Sequence, residues 1–338
     1  MAETRCKVCI LSSSFPGIEF DAGGVCNFCR DEIIEKTTQA DIIKAGEEAR
    51  ELIERVKGKG EYDAVLCYSG GKDSTYTLKL AVEKYGLRVL SFTLDNGFLS
   101  PLAFDNIHKV VETLGVDQVF FRPSKRLYAG IIKTSLTKQL YARSTARRIS
   151  SGCQSCISIV NNMALKMAME KDIPLILAGF TLGQIPVNSV SFKNDYEFLR
   201  ESREKPLAIL RGEVGDGILP YLTIEERTLR RVTDYPHTIN LLVLEDISER
   251  EIIQEIRKLG WEQPRDVDGC SSNCRLNVLN NHAHARKFGF NPYELELSHL
   301  IRVGQLSREE AMGKIQDQSP EQLAAVMAEL GIKKESFD

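Results

Sequence analysis

No apolar run in the 338-residue chain is long enough to cross a bilayer, and the start has no signal-like form, since Met1 to Arg5 leads straight into a cysteine pair. The expected location is the cytoplasm. An excess of either charge is also missing: 44 Lys and Arg stand against 47 Asp and Glu, and a net charge of −3 argues against a broad nucleic-acid surface. A local basic stretch does survive between Lys125 and Arg148 (Lys125, Arg126, Lys133, Lys138, Arg143, Arg147, Arg148), which reads as a solvated helix face or a seat for a phosphate-bearing substrate. With 43% hydrophobic and 27% charged residues, the composition is that of an ordinary soluble globular chain, long enough for a large core. Nine cysteines in a reducing compartment are poor disulfide candidates, and eight of them fall in close pairs, the pattern of metal sites.

Cys6-x2-Cys9 and Cys26-x2-Cys29, sixteen residues apart, have the spacing of a structural zinc ribbon or knuckle, with an iron–sulfur centre as the alternative. Cys153-x2-Cys156 precedes a helical stretch from Ile157 to Lys171. Thiolates at a helix amino terminus are stabilised by exposed N–H groups and the dipole, so a redox dithiol or metal ligation fits. Cys270-x3-Cys274, in a loop rich in Gly, Ser and Asn, supplies further ligands. Zinc held by Cys153, Cys156, Cys270 and Cys274 stays open, as do plain thiols. Cys67 reads as a buried hydrophobe.

The chain's organising stretch is Tyr62 to Ser74. An apolar run, Ala64 to Cys67, leads into Ser69-Gly70-Gly71-Lys72-Asp73-Ser74, after which Thr75 to Lys84 has helical spacing. Two glycines allow close backbone approach, first-turn N–H groups and the hydroxyls of Ser69, Ser74 and Thr75 face a ligand, and Lys72 adds a cation; phosphate suits such a turn. The Walker pattern G-x-x-x-x-G-K-S/T is absent, because Asp73 follows the lysine and no glycine lies five residues before Gly71.

Elsewhere the pattern alternates. Residues Asp31 to Lys57, including Ile33, Ile34, Ile42 and Ile43, read as one or two amphipathic linker helices. Strands are expected at Arg88–Leu94, Gln118–Phe121, Pro174–Ala178 and Leu241–Leu244, and helices at Pro101–Leu114, Leu127–Tyr141, Glu249–Leu259 and Arg275–Phe288. This predicts an α/β fold, a doubly wound parallel sheet, with an N-terminal zinc module and a mainly helical C-terminal region. The expected divisions are 1–57 (zinc module and linker), 58–195 (nucleotide-binding domain) and 196–338 (substrate and metal-completing region). Arg200 to Arg231, polar with several Gly and Pro, reads as a substrate-facing segment or lid. Ser307 with Glu310 forms a capping box. His282 and His284 stand as ligands, bases or plain surface residues. Loops at the strands' carboxyl ends, Thr93 to Gly97 and Gly179 to Gln184, carry groups suited to a nucleotide.

The SGGKDS hexapeptide resembles the signature of the PP-loop ATP pyrophosphatases, an adenine nucleotide alpha hydrolase-like superfamily with a Rossmannoid fold. FPGIEFDAGGVCNFC, the LGW turn and IRVGQLSREEA resemble N-acetyl-sugar amidotransferase-type members, so the resemblance runs from Cys6 to about Ile315. Two cysteines at one helix start plus one in a distant loop resemble the three-cysteine 4Fe-4S cluster of thiolase-type members. The resemblance implies that ATP with Mg2+ binds at Ser69, Gly70, Gly71, Lys72, Asp73, Ser74 and Thr75, with Asp95 and Gly179 beside the nucleotide. It also implies adenylation with release of pyrophosphate, followed by sulfur transfer in which Lys72, Asp73, Cys153, Cys156 and Cys274 take part, Cys270 being a spare. Amidation with ammonia from a glutaminase partner is the alternative, as no glutaminase domain is visible in the chain; a non-catalytic nucleotide sensor is the third reading. The implied partners are a small-molecule or nucleotide-like substrate, a sulfur donor or glutaminase subunit and a second copy of the chain, with tRNA not favoured and no membrane.

Overall fold

In a computed structural model, residues 4–30, 39–181, 183–316 and 319–333 are described. The expected linker positions Ile33 and Ile34 lie outside the described residues. Six strands, β1 (Ala64–Cys67), β2 (Val89–Leu94), β3 (Asp117–Phe121), β4 (Leu175–Ala178), β5 (Ser191–Lys193) and β6 (His237–Asn240), form one sheet in the order β3-β2-β1-β4-β6-β5. All neighbours are parallel except β5, which runs antiparallel along the β6 edge. The sheet is mostly parallel and flanked by helices, with a helix-rich C-terminal region, as the alternation predicts.

Continuous apolar strands suit a sheet covered on both faces. Along β1, Val65 points into one buried cluster with Phe92, Tyr128, Ile131 and Leu165, while Ala64 and Leu66 point into another with Leu78, Val110 and Trp261. That alternation is the two-residue period of an extended chain. Because β1 is flanked by β2 on one side and β4 on the other, the strand order reverses at β1. In open α/β sheets a ligand crevice opens at the carboxyl ends of the strands at this reversal, and the chain leaves β1 there directly into Ser69-Gly70-Gly71.

Several element bounds differ from the sequence reading. Leu241–Leu244 is a 3-10 turn, and the strand is the preceding His237–Asn240, whose backbone pairs with β4 and β5. The apolar LLVL run was the stronger signal, but burial under the helix Gln39–Val56 satisfies it without strand pairing. Arg200 to Arg231 is not irregular: a helix runs Tyr196–Val214 through Pro206 and is followed by short helices Leu219–Leu222 and Glu226–Arg231. The helix expected from Ile157 begins at Ser151, capped by the Ser150 hydroxyl on the Cys153 N–H, so both Cys153 and Cys156 lie inside it. The Ser307–Glu310 capping box forms in both directions, with Ser307 N–H donating to Glu310 at 2.9 Å and Glu310 N–H to Ser307 at 3.2 Å.

The N-terminal cysteines fold into a small module docked on the helix Glu294–Arg302. Ser12 N–H donates to Glu294 Oε2 at 2.9 Å, Arg5 pairs with Glu294 at 3.1 Å, and Ile10 N–H donates to Ser298 Oγ at 3.3 Å. Phe15, Phe28, Phe290 and Leu295 close the apolar seam.

Candidate active site

A cleft of about 1570 Å³ opens at the carboxyl end of the sheet, lined by the Ser69–Ser74 turn, the β4 loop, the start of the Ser151–Glu170 helix and the 269–274 loop. Its floor is the turn itself. Gly70 has φ of 73°, and a Cβ there would stand 2.8 Å from Ala103 O and from Ile107 Cγ1, so only glycine fits both the conformation and the space. The helix Lys72–Lys79 follows at once, with Gly71 as its N-cap.

Not every hydroxyl of the turn faces outward. Thr75 is fully buried and donates to Gly71 O at 2.8 Å, and Ser74 Oγ donates to the same carbonyl at 3.1 Å while contacting Ser69 Oγ at 3.0 Å. Ser69, Gly71, Lys72, Asp73, Ser74 and Gly179 line the cleft, whereas Gly70, Thr75 and Asp95 stand behind its surface. Asp95 accepts from Gly97 N–H at 2.9 Å and pairs with Arg122 at 3.2 Å; its neighbour Asn96 is the one that reaches the cleft. Gly179 brings the β4 loop against the turn, since a Cβ there would meet Thr77 Oγ1 at 2.8 Å and Ser74 N at 3.1 Å.

Lys72 sits in a ring of carboxylates. Its Nζ is 2.8 Å from both oxygens of Asp73 and 3.4 Å from Glu249, which also pairs with Lys314 at 2.8 Å. Burial favours the neutral amine, but Asp73, Glu249 and Glu296 outweigh it and hold Lys72 above its ordinary value. Burial opposes ionisation of Glu249 too, yet Lys72 and Lys314 pull its carboxyl below the usual range. Glu296 is the exception. Burial pushes its carboxyl up to about 7, against the pull of Lys72.

The wall above the turn is the cysteine loop. Lys72 N–H donates to Ser272 Oγ at 3.0 Å, Asn273 Nδ2 donates to Ser69 O at 3.1 Å, and Trp261 Nε1 donates to Gly70 O at 3.0 Å. Beyond Asn273, the chain pairs with the loop after β2: Ser100 N–H donates to Asn273 O and Arg275 N–H to Phe98 O, both at 2.8 Å. Cys274 is thereby fixed beside Asn96.

Cys153, Cys156 and Cys274 all line this cleft, half-buried, with Cys156 and Cys274 packed against the main core cluster. Their thiols do not behave as the helix dipole alone predicts. Burial pushes Cys153 up to about 12 and Cys274 up to about 11, and it raises Cys156 as well. Negative charge on Cys156 and Cys274 adds to the rise at Cys153, which marks the three as mutual neighbours. A helix-terminus dipole supplies only about half a charge, and desolvation of a buried thiolate outweighs it. Cys270 lines the cleft too, but its thiol donates to Lys314 O at 3.5 Å, and it packs with Ile10, Leu297 and Ala311. Cys67 lies at the end of β1, its thiol pushed up to about 12 by burial, at the margin of the same cleft.

The N-terminal set has a different geometry. Zn–S bonds of about 2.3 Å place the corners of a tetrahedron about 3.8 Å apart; Cys6 and Cys29 are 3.9 Å apart and Cys9 and Cys26 3.7 Å apart. Val8, Cys9 and Cys26 N–H groups donate to Cys6 Sγ at 3.3 to 3.5 Å. The Cys26 thiol beside it draws Cys9 well below the ordinary thiol range, against the effect of burial. These four residues fit one tetrahedral metal ion. Among the described residues, they are the one group of three or more His, Cys, Asp or Glu whose ligand atoms all lie within 4.8 Å of one another.

The remaining expectations divide. Arg148 reaches the cleft and donates to Gly183 O at 3.2 Å, whereas Arg147 stacks over Phe15 and Phe28 at 5.4 and 5.7 Å and Lys138 pairs with Glu213. His284 packs against Phe288 and Phe290 in the core, and burial lowers it to about 4; it does not line the cleft. Glu249, Glu296, Ser272 and Trp261 were missed in the sequence. The single tryptophan was a usable signal, because a buried indole needs an acceptor; the two glutamates had none, as their partner Lys72 lies more than 170 positions away.

Residues 271–338 match the family described as "LPS biosynthesis protein WbpG-like, C-terminal domain". The chain is similar to the uncharacterized protein MJ1599 of Methanocaldococcus jannaschii, 22% identical over 335 residues that cover 97% of this chain and 99% of that one. It is also similar to the uncharacterized protein MJ1016 of the same organism, 30% identical over 132 residues, 38% of this chain and 40% of that one. Among solved structures, it is similar to the U34-tRNA thiolase NcsA from Methanococcus maripaludis with its 4Fe-4S cluster, at 15% identity and a TM-score of 0.35, covering 90% of this chain and 88% of that one. No helix among the described residues is long and apolar enough to cross a membrane.

Proposed function

We propose that the chain is a PP-loop-type transferase that adenylates a substrate oxygen with ATP, releasing pyrophosphate, and then replaces that oxygen with sulfur. The observation that carries this reading is the seam between turn and cysteine loop: Ser272 and Asn273 bond to Lys72 N–H and Ser69 O one or two residues from Cys274. Phosphate chemistry and thiol chemistry thus share one cleft.

In the first step a substrate carbonyl oxygen attacks the α-phosphorus and the α–β bridging bond breaks. The N–H groups from Gly71 onward and Lys72 take the charge on the departing pyrophosphate. Lys72 reaches the phosphates by exchanging its carboxylate partners for phosphate oxygens. Mg2+ neutralises the rest, and Asp73, Glu249 and Glu296 are the carboxylates on this wall that would hold it. In the second step hydrosulfide attacks the activated carbon, the bond to AMP breaks, and C=O becomes C=S. Cys153, Cys156 and Cys274 would hold an iron–sulfur group, which when bound supplies a position for that hydrosulfide. Two features of the chain support such a fit: the three thiols line one cleft, and side-chain amides approach the sulfurs of Cys153 at 3.1 Å and Cys274 at 3.6 Å, as suits metal-bound thiolates.

A second reading, nitrogen in place of sulfur, draws on the match of residues 271–338 to a lipopolysaccharide-biosynthesis family. That match favours a lipopolysaccharide-type sugar as acceptor, and the resemblance of FPGIEFDAGGVCNFC and IRVGQLSREEA to N-acetyl-sugar amidotransferases favours amidation by ammonia from a glutaminase partner. The test is anaerobic purification with iron and zinc analysis, then ATP turnover to AMP and pyrophosphate with N-acetyl sugar nucleotides and either sulfide or ammonium. Zinc plus about four iron per chain and a response to sulfide is the expected result. Zinc without iron in the cleft, or dependence on a glutaminase with no response to sulfide, sinks the sulfur reading.

A further inference from the structure

Two of the three cleft cysteines carry a side-chain amide donor on sulfur. Asn280 Nδ2 stands 3.1 Å from Cys153 Sγ, and Asn96 Nδ2 stands 3.6 Å from Cys274 Sγ. Both amides come from outside the helix that bears Cys153 and Cys156: Asn280 from the helix Asn277–Phe288, Asn96 from the loop after β2.

The approach of Asn280 is built into the backbone of its partner. A Cβ on Gly152 would lie 2.0 Å from Asn280 Oδ1, so glycine beside Cys153 is what admits the amide. Asn277 on the same helix meets Cys153 with its other end, its Oδ1 accepting from the Cys153 thiol at 3.7 Å, and its amide nitrogen, like that of Asn281, turns to a carboxylate. Asp268 accepts from Asn277 Nδ2 at 3.0 Å with both oxygens and from Asn281 Nδ2 at 3.2 Å, and its Oδ1 also holds the Cys270 N–H at 2.9 Å. Asn280 is excluded from that hub. It is 2% exposed, and its Oδ1, like that of Asn281, has no hydrogen-bond partner; what sets Asn280 apart is that its N–H lies on sulfur, 3.1 Å from Cys153 Sγ.

A neutral thiol has little use for an amide donor on its sulfur. A metal-bound thiolate has, because N–H groups aimed at sulfur stabilise the more negative state of the group it holds.

We propose that Asn280 and Asn96 are positioning residues that tune the iron–sulfur group held by Cys153, Cys156 and Cys274, by donating N–H to Cys153 and Cys274, with Gly152 as the clearance that lets Asn280 act. This rests on the iron–sulfur reading above. The donors stabilise the reduced state, so their loss lowers the reduction potential.

The experiment is anaerobic loading of the full chain with iron and sulfide, followed by a redox titration read by absorbance and electron paramagnetic resonance. It compares the parent with Asn280→Ala, Asn96→Ala, Gly152→Ala and the control Asn281→Ala, which removes an equally buried amide that touches no sulfur. Asn280→Ala and Gly152→Ala are each expected to lower the reduced-to-oxidised ratio at fixed potential about tenfold, ~59 mV for a one-electron couple. Asn96→Ala, at the longer contact, shifts it less, and Asn281→Ala leaves it in place. Gly152→Ala keeps every polar group, so a matching shift there separates donor placement from loss of the amide. A cluster that forms in all variants with one common potential overturns the proposal, as does an equal shift in Asn281→Ala. Failure of the parent chain itself to take up iron overturns the iron–sulfur reading, and this inference with it; the parent's iron content tells the two failures apart.

Discussion

The two cysteine sites of this chain are built on opposite principles. At the N-terminus, four thiols from 24 consecutive residues close into a tetrahedron with backbone N–H groups on Cys6 sulfur, and the module packs around them. In the cleft, two thiols from one helix line the same wall as a third from a loop 118 positions beyond Cys156, and side-chain amides of Asn280 and Asn96 approach the sulfurs of Cys153 and Cys274. A local site uses metal to make a fold, whereas a distributed site needs the fold to exist first. The first is therefore a matter of stability and the second of chemistry.

Breaking the metal sites should separate these roles most widely. Cys9→Ala is expected to remove zinc and unfold the module, since structural zinc contributes on the order of 10 kcal/mol in small domains; zinc content and a loss of protection from proteolysis at residues 4–30 check it. Cys156→Ala is expected to remove iron and leave the thermal midpoint within a few degrees. Equal loss of stability from both would erase the distinction.

The next effect falls on the turn. Lys72→Ala is expected to lower release of AMP and pyrophosphate by about 10²- to 10³-fold, the range for removal of one charge-stabilising group, while zinc and iron contents stay at parental levels. Turnover unchanged in this variant would remove the phosphate role from the turn.

Trp261→Phe sharpens the same comparison at smaller scale, because it deletes the indole N–H on Gly70 O and leaves the apolar packing. A buried carbonyl left without its donor costs about 1–3 kcal/mol. Chemical denaturation should report a loss of that size with zinc retained.

The smallest effect is a pH dependence. Glu296 has its folded-state carboxyl raised to about 7, so the native chain holds a proton that the unfolded chain releases near 4.3. Its contribution to stability is present at low pH and is lost as pH rises from about 4.3 through 7. Glu296→Gln should therefore match the parent at pH 4 and melt about 2 °C higher at pH 8; a midpoint difference independent of pH would refute the assignment.

Much of the framework was legible because its signals are local. Ala64–Cys67 leads into SGGKDS, and the N-terminal CxxC pairs announce a metal by spacing alone. The β6 edge was not legible, since His237–Asn240 is polar at one end and the stronger apolar run follows it. Nor was the thiol chemistry of Cys153: a helix amino terminus predicts a thiolate, and only the tertiary structure shows the burial that reverses it. Asp95 was read from its loop position, but which of Asp95 and Asn96 turns to the cleft depends on Arg122 pairing with the acid. Glu249 and Glu296 show the same limit, as carboxylates acquire meaning only when a distant lysine is brought against them.

The helix Glu294–Arg302 joins both regions in one element. Glu294 and Ser298, one turn apart, hold the N-terminal module, while Glu296 on another face borders the cleft beside Lys72. Translation gives this arrangement a timetable. The backbone of Ser12 leaves the ribosome 282 residues ahead of its partner Glu294, an interval of roughly 15–60 s at about 5–20 residues per second. Through that interval the nascent module can take up metal but has nothing to dock on, and the phosphate turn lacks both Ser272 and Glu296. A ribosome stalled before residue 270 would thus display a metal-loaded knuckle and a bare turn with no competent cleft, so the last fifth of the chain sets when the first fifth finds its place.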